Sequence, residues 1–366
     1  MANKQFEKLI KLYDYSVPND LIAKKPVIPR DSAKLLVFKR KSKEAVFDKF
    51  VNLGKYLPPK AVLVLNDTKV LPARLVVHKE IIKHGKMQMG GGLARILYIG
   101  QPSFAKATAG KEGKFLEFLS DRNLDIGSKI SVNSKIFFIV ERKVGGHYFL
   151  KPSFAITKTF EVLEKYGITP VPPYIKNIPL SEKQLRKEYQ TVFAEHKGSV
   201  AAPTASLHFT KDLLARLKRS GIQIVFTTLH VNLGTFSPLT EELFKRSKLH
   251  AEYFEINKKS ADILNEAKKE NRSIVAVGTT VVRTLESASD KSGKIKKLSG
   301  NTDIFIKEGY KFKFVDGLIT NFHVPKSSLL MLVSAFAGRK KILELYRKAI
   351  NKKFRFFSFG DGMLIL

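Results

Sequence analysis

Short strand-like runs that stop at small polar residues restrict the fold of this chain more than any other feature. Ala61 to Leu65 runs into Asn66-Asp67-Thr68, Ile274 to Val277 runs into Gly278-Thr279-Thr280, and Leu318 to Asn321 precedes a helix expected from about Lys326. Unbroken apolar runs of this length, followed by turn residues, read as buried strands. Beyond about residue 156 helices and strands alternate. One helix is expected near Ser181 to Ala194 and another near Lys211 to Ser220, the latter capped by Thr210 and stopped by Gly221, before the strand Ile222 to Thr228. Such alternation predicts a layered α/β/α main domain. Between Leu75 and about Tyr148 the pattern becomes β-rich, with Arg95 to Ile99, Phe115 to Leu119 and Lys135 to Val140 separated by Gly-containing turns. The fold class expected is therefore α/β, with residues 1–74 and 151–366 forming the main domain and an inserted small antiparallel β-barrel at 75–150. The small polar tract Lys106 to Lys114 reads as an exposed loop of that barrel.

Charge narrows the choice of partner. With 65 Lys and Arg against 33 Asp and Glu, the 366-residue chain carries a formal charge of +32, more than a neutral small substrate requires. A polyphosphate such as nucleic acid is the partner this suits, although clusters such as Lys39-Arg40-Lys41 also read as solvated faces. The absence of cysteine excludes disulfides, thiolate metal sites and a cysteine nucleophile, and fits a reducing cytoplasm. The N-terminus lacks a signal-peptide core, and the apolar stretch Leu329 to Ala337 is far too short for a bilayer span, so no membrane association is expected.

The segment Tyr189 to Thr210 has the composition of a site. Gly198 through Ser206 offer little side-chain bulk, so another molecule can approach the backbone closely, and His208 follows at once. A tightly packed loop leading to a helix cap is the plainer alternative. His208, His230, His250 and His323 all lie in the α/β part, without the paired spacing of a helical zinc site, and no metal is expected. Each imidazole taken alone is open to a structural or a catalytic reading. Thr279, Thr280 and Asn321 fall where strands of an open α/β sheet end and ligands bind, and their hydroxyl and amide groups suit a sugar or nucleoside. Thr280 also reads as a helix cap, and Arg283 with Glu286 as an exposed i,i+3 pair. Asp361 stands at an expected strand end or in an ordinary Gly-Asp turn. Arg74, beside the Asn-Asp-Thr turn, has the chemistry to hold phosphate or stack on a splayed base, and Arg30-Asp31 reads as a structural ion pair. Dinucleotide and P-loop glycine signatures are absent.

Taken with RDSAKLLVF, VLNDTKVLPARL, YQTVFA, GSVAAPTASLHFT, TLHVNLGTF, AVGTTVVRTLES, TDIFI, LITNFHVPKSSLLMLVSAFAG and FRFFSFGDGMLI, in that order, the chain closely resembles the S-adenosylmethionine:tRNA ribosyltransferase-isomerases of queuosine biosynthesis. The resemblance runs nearly end to end and is weakest from about residue 79 to 150. Departures are Ser206 and Asn232 where the family usually has Gly, Val281 in place of Ser, and Arg95 where an acidic residue is expected.

What this resemblance implies is transfer and isomerisation of the ribosyl part of S-adenosylmethionine onto 7-aminomethyl-7-deazaguanine at the anticodon wobble position of tRNA. Epoxyqueuosine forms, and adenine and methionine leave. The donor is a consumed substrate, so no cofactor is expected, and a monomer acting on tRNA in the cytoplasm is implied. His208 leads the acid/base candidates, with His230, His323 and Asp361 behind it. Thr204, Thr235, Thr279, Thr280, Arg283 and Asn321 are candidate substrate contacts, and Asn66, Asp67, Thr68 and Arg74 are candidates to face the tRNA or the donor. A methyltransferase using the same donor and a non-catalytic RNA-binding protein are the alternatives. The first lacks its glycine-rich loop here, and the second leaves the small-residue motifs unexplained.

Overall fold

The computed structural model describes residues 2–83, 86–100, 115–232 and 239–366; the tract at 106–114 lies outside them. After helix α1 (Ala2–Lys11) the chain lays down β1 (Lys34–Lys39), β2 (Glu44–Lys49), β3 (Val62–Asn66) and β4 (Thr68–Val70). It then builds β5 (Arg74–Lys83), β6 (Lys86–Tyr98), β7 (Leu116–Ser120), β8 (Lys129–Ser131), β9 (Phe137–Val144) and β10 (His147–Pro152). These six strands pair antiparallel and close into a barrel in the order β10-β7-β6-β5-β8-β9. Alternate residues such as Leu75, Val77, Ile96, Phe118, Phe138, Val140 and Leu150 point inward to form its own core, as closure of a small barrel requires.

The return to the main domain begins with helices α2 (Thr159–Tyr166) and α3 (Glu182–Glu188), then β11 (His196–Ser199), α4 (Lys211–Arg219) and β12 (Gln223–Leu229). Helix α5 (Glu241–Arg246), β13 (Lys248–Glu255), α6 (Lys258–Lys269), β14 (Ile274–Val277), α7 (Thr279–Ala288), β15 (Ser299–Ile304) and β16 (Gly317–Asn321) follow, and α8 (Ser328–Ala337), α9 (Arg339–Asn351) and β17 (Gly362–Ile365) complete the chain. The large sheet has the order β15-β13-β12-β3-β14-β16-β17-β1-β2, with β12, β3, β14 and β16 parallel at its centre. Strands β3, β14, β16 and β17 are buried on both faces, while β2, β13 and β15 toward the sheet edges are partly exposed. Val62, Val64, Ile274 and Ala276 meet Leu264, Leu285, Leu330 and Leu345 of α6 to α9, while Leu63, Leu65, Val275 and Val277 meet Leu213 and Leu217 of α4 with Phe50 and Leu53. Apolar residues at every strand position are the sequence consequence of cover on both sides.

Three expectations about these elements require correction. The helix expected over Ser181 to Ala194 stops at Glu188, because Arg30 reaches across to the carbonyls of Glu188 at 3.1 Å and Gln190 at 2.6 Å while Tyr189 turns into the core beside Phe359. Carbonyls at a helix end lack intrahelical partners, and this guanidinium supplies them. Arg30 therefore pairs with Glu188 at 3.0 Å rather than with Asp31, which instead accepts the Thr210 hydroxyl. The Arg283 and Glu286 side chains are also not an exposed pair. Both are buried, Arg283 against Glu252 of β13, and Glu286 accepting the backbone N–H groups of Lys313, Phe314 and Val315. Thr210 caps α4 as expected, accepting the N–H of Leu213 at 3.1 Å.

Candidate active site

Because β12, β3, β14 and β16 run parallel, their carboxyl ends share one edge of the sheet, and chain leaving that edge has to turn there. After β14 the turn is made by Gly278 at φ +93°, a conformation that side-chain-bearing residues rarely adopt, and α7 begins immediately without a side-chain cap. Thr279 and Thr280 thus lie in the first turn of the helix and are not its cap. Next to them β16 ends in Asn321, whose Oδ1 accepts the Thr204 hydroxyl at 2.9 Å. Thr204 opens the helical turn Thr204–His208 that the small-residue segment forms. Between these elements lies a crevice open to solvent.

Thr204, Thr279, Thr280, Thr320, Asn321 and His323 give the crevice its polar lining, and Tyr174, Val231, Phe322, Leu329 and Phe357 its apolar lining. Among the described residues that line it none is Lys, Arg, Asp or Glu. The Thr280 Oγ1 and Asn321 Nδ2 atoms are buried there without a hydrogen-bond partner. His323 Nε2 lies 2.7 Å from the Thr320 hydroxyl, its N–H donates to the Tyr346 hydroxyl at 3.0 Å, and its carbonyl accepts the Tyr15 hydroxyl. Burial pushes its imidazole down to about 3, so it is neutral at physiological pH.

Five of the candidate residues therefore converge: Thr204, Thr279, Thr280, Asn321 and His323. His208 stands apart from them. Its ring packs on Phe50 at 4.7 Å and faces a separate small void that shares only Ser358 with the crevice. Burial first, then the Arg355 and Arg30 guanidinium groups, push it down to about 3. His230 is pushed down to about 4 by burial and by His196; its Nδ1 lies 2.8 Å from Thr68 Oγ1. A Cβ on Gly198 would come within 2.7 Å of the His230 ring, so the bare backbone there accommodates an imidazole of this chain.

The remaining candidates make internal contacts. Asn66 ties β3 to β12, donating to the Leu229 carbonyl at 3.0 Å and accepting its N–H at 3.1 Å. Asp67 accepts the Thr228 hydroxyl at 2.6 Å, and burial raises its carboxyl above the ordinary range. Its carboxylate, Glu195 and His196 bring ligand-type atoms within 4.8 Å of one another, a grouping that sequence spacing conceals. Arg74 reaches the Val171 carbonyl at 3.5 Å, Arg283 is paired with Glu252, and Asp361 accepts the backbone N–H groups of Lys34 and Arg355 at 3.2 and 2.8 Å. Thr235 lies outside the described residues. Lining residues that were not among the candidates include Thr320, Tyr174 and Phe357. Phe357 belongs to an aromatic run, Phe354 to Phe359, that resembles plain core in the sequence. Of the departures from the family pattern, Ser206 is fully buried with an unpartnered hydroxyl, and Asn232 donates its N–H to Glu252 at 2.8 Å.

The buried His208 imidazole makes acid stability a direct test of this environment. Its folded pKa lies below the ordinary 6.5, so the unfolded chain takes up a proton that the fold refuses, and stability is lost as pH falls from 6.5 toward about 3. At pH 5 this costs about 2 kcal/mol relative to pH 7.5. Denaturant unfolding of the wild type should lose about that much more than a His208→Gln variant over this interval. Identical losses would mean that His208 protonates freely within the fold.

Comparisons with known proteins agree on one family. A family model described as "Queuosine biosynthesis protein" matches residues 10–365. The chain is 44% identical over 358 residues to a protein of Thermoanaerobacter sp. named S-adenosylmethionine:tRNA ribosyltransferase-isomerase, covering 96% of this chain and 98% of that protein. A protein of the same name from Carboxydothermus hydrogenoformans is 44% identical over 362 residues, covering 98% and 99%. Among solved structures, an S-adenosylmethionine tRNA ribosyltransferase from Thermotoga maritima is similar at TM-score 0.52 and 30% identity, over 97% of this chain and 100% of that one.

Proposed function

The chain belongs to the queuosine biosynthesis protein family, and on that premise we propose that it transfers and isomerises the ribosyl moiety of S-adenosylmethionine onto 7-aminomethyl-7-deazaguanine at the tRNA wobble position. Epoxyqueuosine is the product, and adenine and methionine are released. The observation that carries this reading is the contrast between the chain and its crevice: a protein of charge +32 surrounds a strand-end crevice lined, among the described residues, by no cationic side chain. The basic exterior suits the tRNA backbone. A sulfonium donor is itself cationic, and inside the crevice it meets neutral hydroxyls, an amide and the aromatic rings of Tyr174 and Phe357, with no repelling charge.

His323 is the imidazole this crevice presents, and we assign it the proton-transfer role. The sulfonium acidifies the adjoining ribose carbon, a base accepts its proton, and the purine anion that departs has to be protonated. An imidazole of low basicity is a strong donor once protonated, which suits return of that proton to adenine. Thr320 holds the ring at 2.7 Å, and the Tyr15 and Tyr346 hydroxyls fix its backbone. The transfer is redox-neutral, so the donor is consumed as a substrate and no redox cofactor is required. We place the reaction in the cytoplasm with its tRNA; among the described residues no helix is long and apolar enough to cross a membrane.

One incubation tests donor, acceptor and reaction together. Labelled donor and tRNA bearing 7-aminomethyl-7-deazaguanine should give free adenine, methionine and a nucleoside with the mass of epoxyqueuosine. Formation of S-adenosylhomocysteine instead would move the chain to methyl transfer, and tRNA binding without donor-dependent product would make it a binding protein.

A further inference from the structure

We infer that the first turn of α7, together with Thr280 Oγ1 and Asn321 Nδ2, is the seat of the donor's amino-acid carboxylate. This rests on the proposal that S-adenosylmethionine occupies the crevice. Helix α7 is ten residues long, and Gly278 gives it no side-chain cap, so its leading N–H groups and the positive end of its dipole lie at the crevice. A helix start alone is not a site. Here two further polar atoms, on residues 7% and 3% exposed, stand unpartnered beside it. A buried polar atom without a partner is costly, and a crevice that leaves two of them open is shaped for a ligand that satisfies them.

The chemistry of these atoms selects the ligand group. Thr204 occupies the Asn321 oxygen, which leaves the amide nitrogen, a donor only, free toward the crevice. Backbone N–H groups and an amide N–H can only donate, the Thr280 hydroxyl can turn its proton the same way, and the group that satisfies all of them at once is acceptor-only. A carboxylate is such a group, and it is the one permanent anion of the donor molecule. Adenine would bring its own amino donor among these donors, and a tRNA phosphate would ordinarily recruit an Arg or Lys, which the described lining of the crevice lacks. Seating the carboxylate on α7 leaves the sulfonium and ribose to extend toward the aromatic and His323 side.

Calorimetric titration of the tRNA-free protein with S-adenosylmethionine and with its decarboxylated analogue tests the seat. The wild type should bind the analogue on the order of tenfold more weakly, the loss of one charge-assisted contact set. Asn321→Asp puts a carboxylate where the seat needs a donor, and should weaken S-adenosylmethionine on the order of tenfold while leaving the analogue within about twofold. Thr280→Val, nearly isosteric, should weaken S-adenosylmethionine about threefold and spare the analogue. Equal wild-type affinity for both ligands, or equal losses of both in the two variants, would overturn the seat alone. Failure of S-adenosylmethionine to bind the wild type at all would remove the donor reading and the seat with it.

Discussion

Replacing His323 with alanine is expected to lower single-turnover adenine release about a hundredfold or more, with tRNA affinity near the wild-type level. The backbone of residue 323 is held by the Tyr15 and Tyr346 hydroxyls, and alanine keeps both contacts. What it removes is the imidazole facing the crevice and its bond to Thr320. His208→Gln is the paired experiment. That ring packs on Phe50 with its free nitrogen toward another void, and two guanidinium groups oppose its protonation, so its loss should change adenine release by no more than a few-fold. A large rate loss for His208→Gln with little for His323→Ala would reverse the assignment.

The contrast between these two histidines shows what was legible in the sequence. Strands that end at Asn66, Val277 and Asn321 were readable because an apolar run followed by a small polar turn reports both burial and the place where it stops. That Thr279, Thr280 and Asn321 meet at one edge was readable for the same reason, since strand ends of a parallel sheet share an edge before any side-chain geometry is known, whereas Thr204 was singled out by the small-residue run. His208 misled because its small-residue surroundings are local, whereas the ring that covers it, Phe50, lies more than 150 residues away. Gly198, in the same run, makes room for His230 and not for a ligand. Long-range partners also explain the shortened helix before Tyr189 and the buried Arg283, whose charge seen in sequence alone points to solvent.

That buried charge underlies the largest expected loss of stability. Arg283→Met should destabilise the main domain by about 3–5 kcal/mol, because it leaves the Glu252 carboxylate buried without its guanidinium. The two side chains are 3% and 1% exposed, so water cannot take the place of the missing partner. Urea unfolding should show the midpoint falling with little change in slope. The double variant Arg283→Met with Glu252→Gln, which removes both charges, should recover a substantial part of the loss. The effect extends to the site. Arg283 lies one turn beyond Thr279 and Thr280, and its bond to Glu252, with a second to the Thr302 carbonyl at 3.3 Å, fixes α7 against β13 and β15. Glu252 also accepts the N–H of Asn232, which follows the crevice residue Val231. The same variant, assayed below its unfolding transition, should therefore bind S-adenosylmethionine more weakly although Arg283 does not line the crevice. Wild-type donor affinity in a destabilised Arg283→Met protein would show that the pair stabilises the fold without positioning the start of α7.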